Sequence, residues 1–123
     1  MKKIIYIFLT FALIFFASCK KQSTPICQII SPQEGQEFYQ DEDIPIQVIA
    51  EVSNGLISSV LVYIDDIYYK GTYNFPYNFT IKAGDVFSGV ITIKAVAVNT
   101  EGRKGETSVK INVKEREIEL AIK

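Results

Sequence analysis

The sequence predicts one small all-β domain, a β-sandwich of about seven strands, behind a helical N-terminal segment. Three observations predict it. From Pro25 onward, short apolar stretches recur about every ten residues and alternate with polar ones, with no helical periodicity. Clusters of Gly, Asn, Asp and Pro punctuate them, as turns between strands require. The 123 residues also suit one domain and not two.

The elements follow in order. Residues 27–30 form a first strand, ended by Ser31-Pro32. In residues 44–52, Ile46, Val48, Ala50 and Val52 point one way, while Gln47 and Glu51 point the other. Asn54-Gly55 marks a turn. Val60, Val62 and Ile64 alternate on a third strand that Asp65-Asp66 terminates, and residues 67–69 return from it before Lys70-Gly71. Residues 77–81 come next as an edge strand, since Pro76 at its start has no N–H for a ladder. In residues 90–98, Ile91, Ile93, Ala95 and Ala97 share one face, the two alanines suiting a close approach of two sheets. Asn99 to Gly102 turns the chain, and Val109, Ile111 and Val113 carry the last strand.

Three stretches carry a family resemblance. Ile30-Ser-Pro-Gln-Glu-Gly35 is similar to the opening of bacterial immunoglobulin-like domains of cell-surface proteins and glycoside-hydrolase accessory modules. Val60-Leu-Val-Tyr-Ile-Asp65 resembles their third strand. Ile93-Lys-Ala-Val-Ala-Val-Asn99, followed by Gly102, resembles their penultimate strand and its turn, with Asn99 where an aspartate is commoner. The resemblance covers residues 27–114 and implies an immunoglobulin-like sandwich with no catalytic residue. The disulfide and core tryptophan of immunoglobulin domains are absent.

Ahead of the domain, Lys2 and Lys3 precede an apolar run over residues 4–17, which would span about 21 Å as a helix at ~1.5 Å per residue. That is short of a bilayer core of roughly 30 Å. Phe16-Ala-Ser-Cys19 resembles the lipobox of bacterial lipoproteins, with Phe16 where a leucine is more usual. The resemblance implies cleavage before Cys19 and acylation of its thiol, and two or more acyl chains anchor a protein stably. Residues 1–18 are thus expected as signal peptide, 19–26 as lipidated tether, 27–114 as sandwich and 115–123 as C-terminal tail or strand extension. Lys20 and Lys21 suit either anionic headgroups or a solvated linker. The expected location is the bacterial cell envelope, at the outer membrane, facing periplasm or surface.

Charge and composition narrow the function. Loss of the signal takes two lysines and no acid, moving the net charge from −1 to −3 (11 basic, 14 acidic side chains). No basic patch interleaved with aromatics is present, so no nucleic-acid partner is expected. Lipidation of Cys19 leaves Cys27 unpaired, and its neighbours Ile26, Ile29 and Ile30 suggest a buried thiol. The chain has no histidine, the commonest general base and metal ligand. No Gly-x-Ser-x-Gly elbow or phosphate-cradling loop appears. No enzyme, cofactor or metal site is expected. Asp41-Glu42-Asp43 and Asp65-Asp66 lack the spacing of a Ca²⁺ loop and read as turn caps.

The candidate binding surface is aromatic: Tyr63, Tyr68, Tyr69, Tyr73 and Tyr77, with Phe75 among them. Tyr63 lies on the outward face with Leu61, and Tyr68 and Tyr69 must point to opposite sides of their strand. Outward tyrosines anchor an interface, stack on a sugar or shield the sheet. The expected function is a membrane-anchored structural or protein-interaction module docking an envelope protein. The alternative is a carbohydrate-binding accessory lipoprotein that takes a polysaccharide on its tyrosines.

Overall fold

The computed structural model describes residues 23–116, so the signal segment, Cys19, Lys20, Lys21 and the tail beyond Arg116 lie outside the described residues. Eight strands are present among them: β1 (Ile26–Ser31), β2 (Glu37–Tyr39), β3 (Ile44–Glu51), β4 (Ile57–Ile64), β5 (Ile67–Thr72), β6 (Tyr77–Ile81), β7 (Gly89–Asn99) and β8 (Lys104–Lys114). They form two facing sheets, one ordered β1-β3-β6 and the other β2-β8-β7-β4-β5. Every pairing is antiparallel except β2 with β8, which is parallel. No helix of the described residues is long and apolar enough to cross a membrane.

Alternation along each strand supplies the core. Ile44, Ile46 and Val48 from β3 and Phe79 and Ile81 from β6 face Val60 and Val62 from β4 and Ile91, Ile93, Ala95 and Ala97 from β7. Val109, Ile111 and Val113 of β8 and Cys27 of β1 complete it. Ala95 and Ala97 are fully buried, as expected of small residues where sheets approach. β6 is a sheet edge, in keeping with Pro76 at its start.

Two departures from the sequence reading concern the second sheet. β2 was not expected: three residues carry too little alternation to read as a strand. It is held by long-range bonds, with Phe38 opposite Val113, Gly35 N–H donating to Lys110 O at 2.7 Å and the Glu34 carboxylate accepting from Lys110 N–H at 2.9 Å. β8 begins at Lys104, not Val109. Its first half, Lys-Gly-Glu-Thr, has no apolar residue, yet it ladders along β7 from Lys104 opposite Val98.

The end of the sandwich where the chain comes in is tightly built. Asn99 is 1 % exposed; its amide donates to Ser23 O at 3.1 Å, and its side-chain oxygen accepts from Glu101 N–H at 3.0 Å and Arg103 N–H at 2.8 Å. The Ser53 hydroxyl donates to the Ser23 hydroxyl at 2.7 Å. The tether, expected to run to residue 26, is therefore already part of the domain at Ser23, and β1 starts at Ile26. The chain leaves at the other end, where Lys114 pairs with Glu37 at 2.9 Å and Arg116 with Asp41 at 2.7 Å, its guanidinium 4.1 Å from the Tyr39 ring centroid. The ends are called proximal and distal below.

Candidate functional site

The distal end is shaped by a two-residue hairpin. Ile64 and Ile67 are paired across Asp65 and Asp66, whose φ angles of 48° and 66° are those of a type I′ turn. Aspartate tolerates this region better than most side chains. Asp65 is locked in place: its N–H donates to Thr92 O and its carboxylate accepts from Thr92 N–H, both at 2.9 Å. Asp66 reaches Lys94 at 3.4 Å. Ile67 is left projecting into solvent.

A β-bulge follows immediately. Val62 pairs with Lys70 and Tyr63 with Tyr68, so Tyr69 is the extra residue. The bulge divides the tyrosines. Tyr68 stays outside, edge-on to Tyr63 at 5.8 Å and 74°, with Lys94 Nζ 5.1 Å from the Tyr63 ring centroid. Tyr69 turns in against the core. Its hydroxyl donates to the Asp85 carboxylate at 2.7 Å and accepts from Lys82 N–H at 3.1 Å. Burial first, and then the Asp85 carboxylate, push its phenol above the usual tyrosine value.

Tyr69 thereby helps fix the loop between β6 and β7. Ala83 N–H donates to the Asp43 carboxylate at 2.8 Å, Gly84 N–H to Gln40 O at 2.9 Å, and the Gln40 amide to Val86 O at 3.0 Å. Val86 is buried as the plug of this loop. Phe87, next to it, must then face outward and is 88 % exposed, with Val90 exposed beyond it.

Between loop and hairpin lies a groove of about 280 Å³, walled by Ile64, Ile67, Tyr68 and Tyr69 on one side and Val86, Phe87 and Val90 on the other. Asp65, Asp85 and Ser88 give it a polar rim. Its size is just under the ~300–1,000 Å³ of small-molecule pockets and suits one or two apolar side chains. A rigid frame presenting exposed apolar groups around a recess is what an interface anchor needs.

The tyrosine cluster of the sequence is therefore dispersed. Tyr68 and Tyr69 line the groove, with Tyr63 behind Tyr68. Tyr73 is at the proximal end, in the β5–β6 connection. Tyr77 does not belong to a surface at all: it is 8 % exposed, on the inward face of β6 with Phe79 and Ile81. Ile67, Phe87 and Val90 were missed. Val86-Phe87 was the available signal, an apolar pair inside a Lys-Ala-Gly-Asp and Ser-Gly loop, where one member can be buried and the other cannot.

The acidic groups are committed elsewhere. The Asp41 carboxyl is held below its usual value by the Arg116 guanidinium, Glu42 accepts from Tyr39 N–H, and Asp43 caps Ala83. Among the described residues no three of His, Cys, Asp and Glu come together to hold a metal ion. Cys27 is free and buried, its thiol pushed up to about 11 by burial, against a lowering by the Ala97 backbone.

Comparison with solved structures finds the same architecture in other proteins. The fibronectin(III)-like modules of Clostridium thermocellum CbhA superpose with a TM-score of 0.71 at 26 % identity, over 78 % of this chain and 50 % of theirs. The endo-β-1,4-mannanase of Thermotoga petrophila gives 0.61 at 13 % identity, over 80 % of this chain and 21 % of its own. The superoxide reductase (neelaredoxin) of Ignicoccus hospitalis gives 0.53 at 15 % identity, over 76 % and 82 %. The chain thus spans about half the length of the first and a fifth of the second, and at 13–15 % identity the likeness is one of fold alone. Comparison with curated proteins returns no significant match. A family model described as bacterial Ig domain matches residues 25–111, in agreement with the two-sheet architecture and the resemblance in the sequence, and the chain belongs to that family.

Proposed function

We propose that the protein is a non-enzymatic, lipid-anchored module of the bacterial cell envelope that holds an envelope protein in its distal groove. Bacterial Ig domains are structural or interaction modules, which supports the general class. The groove carries the specific reading: Ile67, Tyr68, Phe87 and Val90 are exposed together around one recess, at the end opposite Ser23. A binding surface there faces away from a membrane that holds Cys19.

The groove's chemistry favours an apolar side chain over a polysaccharide. Sugar faces stack on flat aromatic platforms. Tyr68, the exposed tyrosine of the groove, stands at 74° to Tyr63, so the two do not form one, and most of the remaining wall is aliphatic.

Replacement of Phe87 tests the proposal. Phe87→Asp in the full lipoprotein removes an exposed ring and leaves the melting temperature unchanged, while a stoichiometric partner recovered with the native chain is lost. A partner retained at native yield by the Phe87→Asp chain overturns the groove as its binding site.

A further inference from the structure

The proximal end carries its own exposed apolar groups. Leu56, Tyr73 and Phe75 are 71 %, 81 % and 81 % exposed, each in a connection between strands. Leu56 precedes β4, and its carbonyl accepts from Thr100 N–H at 3.1 Å, which places it beside the β7–β8 turn. Tyr73 and Phe75 lie in the connection that crosses from β5 to β6 at the same end. The Phe75 ring is braced edge-on against the buried Tyr77 at 5.7 Å, so it projects from a fixed support. Ile26, where β1 begins, is exposed there as well.

We infer that Leu56, Tyr73 and Phe75 rest in the headgroup layer of the membrane, so that the sandwich stands on the bilayer with its distal groove raised. This rests on the lipid-anchor reading above. The occupant follows from the chain that precedes Ser23. Cys19 is four residues away, a reach of about 13 Å at ~3.3 Å per residue. The headgroup layer on each side of a bilayer is itself roughly 5–8 Å deep. An end pinned at Ser23 by Asn99 and Ser53 is thereby held against the lipid surface to which the acyl chains are attached. Apolar groups at that end then meet lipid rather than open water. Tyrosine is well suited to the position, its ring in the interface and its hydroxyl in water. The charges do not oppose contact: Glu51 and Glu101 are matched by Arg103 and Lys104, and Lys20 and Lys21 add attraction to anionic headgroups.

The chain has no tryptophan, so a single introduced indole reports one position. The full lipidated F75W, Y73W and F87W chains are reconstituted into phosphatidylethanolamine–phosphatidylglycerol vesicles, with and without brominated acyl chains, and flotation is recorded for each. The expected result is a blue shift and quenching by brominated lipid for F75W and Y73W, and neither for F87W. Floating protein with F75W and Y73W unshifted and unquenched overturns the inference and leaves the anchor standing. Equal quenching of F87W overturns the upright orientation. Protein that does not float removes the anchor, and the membrane contact with it.

Discussion

A β-carbon on Gly105 would overlap the carbonyl oxygen of Pro25 and lie 2.8 Å from its carbon. The incoming chain lies directly across the first half of β8, and only a residue without a side chain lets it pass. Two residues before Pro25, Ser23 is held by the Asn99 amide. An aspartate at 99 would keep the acceptor used by Glu101 and Arg103 but lose the donor to Ser23, so asparagine at this turn serves the N-terminal segment.

Gly105→Ala is accordingly expected to lower stability by about 1–3 kcal/mol, the usual range for overpacking. Urea unfolding of the two chains checks it. The comparison is Gly84→Ala, where a β-carbon meets nothing within 4 Å and only the φ of +85° is strained. The cost there is about 1–2 kcal/mol, from the left-handed backbone alone.

Tyr77 and Tyr73 separate core from surface within one aromatic run. Tyr77→Ala empties part of the β6 face and should cost about 3–5 kcal/mol, as large aromatic truncations do. Tyr73→Ala, at a mostly exposed position, should stay within about 0.5 kcal/mol. Thermal unfolding of both variants measures the difference.

Cys27 gives a pH dependence of definite sign. Its thiol stays protonated in the fold up to about 11, against 9.0 for an ordinary cysteine. Between those values the unfolded chain releases the proton and the folded chain keeps it, so this contribution to stability is complete below pH 9 and declines as pH rises through about 11. The native chain should therefore lose more stability between pH 8 and pH 11 than Cys27→Ala does. Denaturation midpoints of the two at both pH values supply the test, since tyrosine and lysine titrations are common to both.

Much of the fold was legible because it is written locally. Alternation of Ile, Val and Ala marks β3, β4 and β7 without reference to anything else, and Pro76 marks an edge through its missing N–H. β2 and the first half of β8 were not legible, because what forms them is a partner strand. Phe38 pairs with Val113, seventy-five positions away, and Lys104 to Thr107 borrow their order from β7. The site was half legible for the same reason. Asp65-Asp66 announces a turn, but the bulge that sends Tyr69 inward depends on register with β4. Phe87 is exposed only because Val86 takes the buried place beside it.

In-cell photocrosslinking from position 87 of the full-length chain tests the groove most directly, with exposed position 47 on β3 as control. One discrete protein adduct from position 87, absent from 47, is the result expected of an interaction module with a distal binding groove. A diffuse, glycosidase-sensitive smear, or the same adducts from both positions, would contradict it.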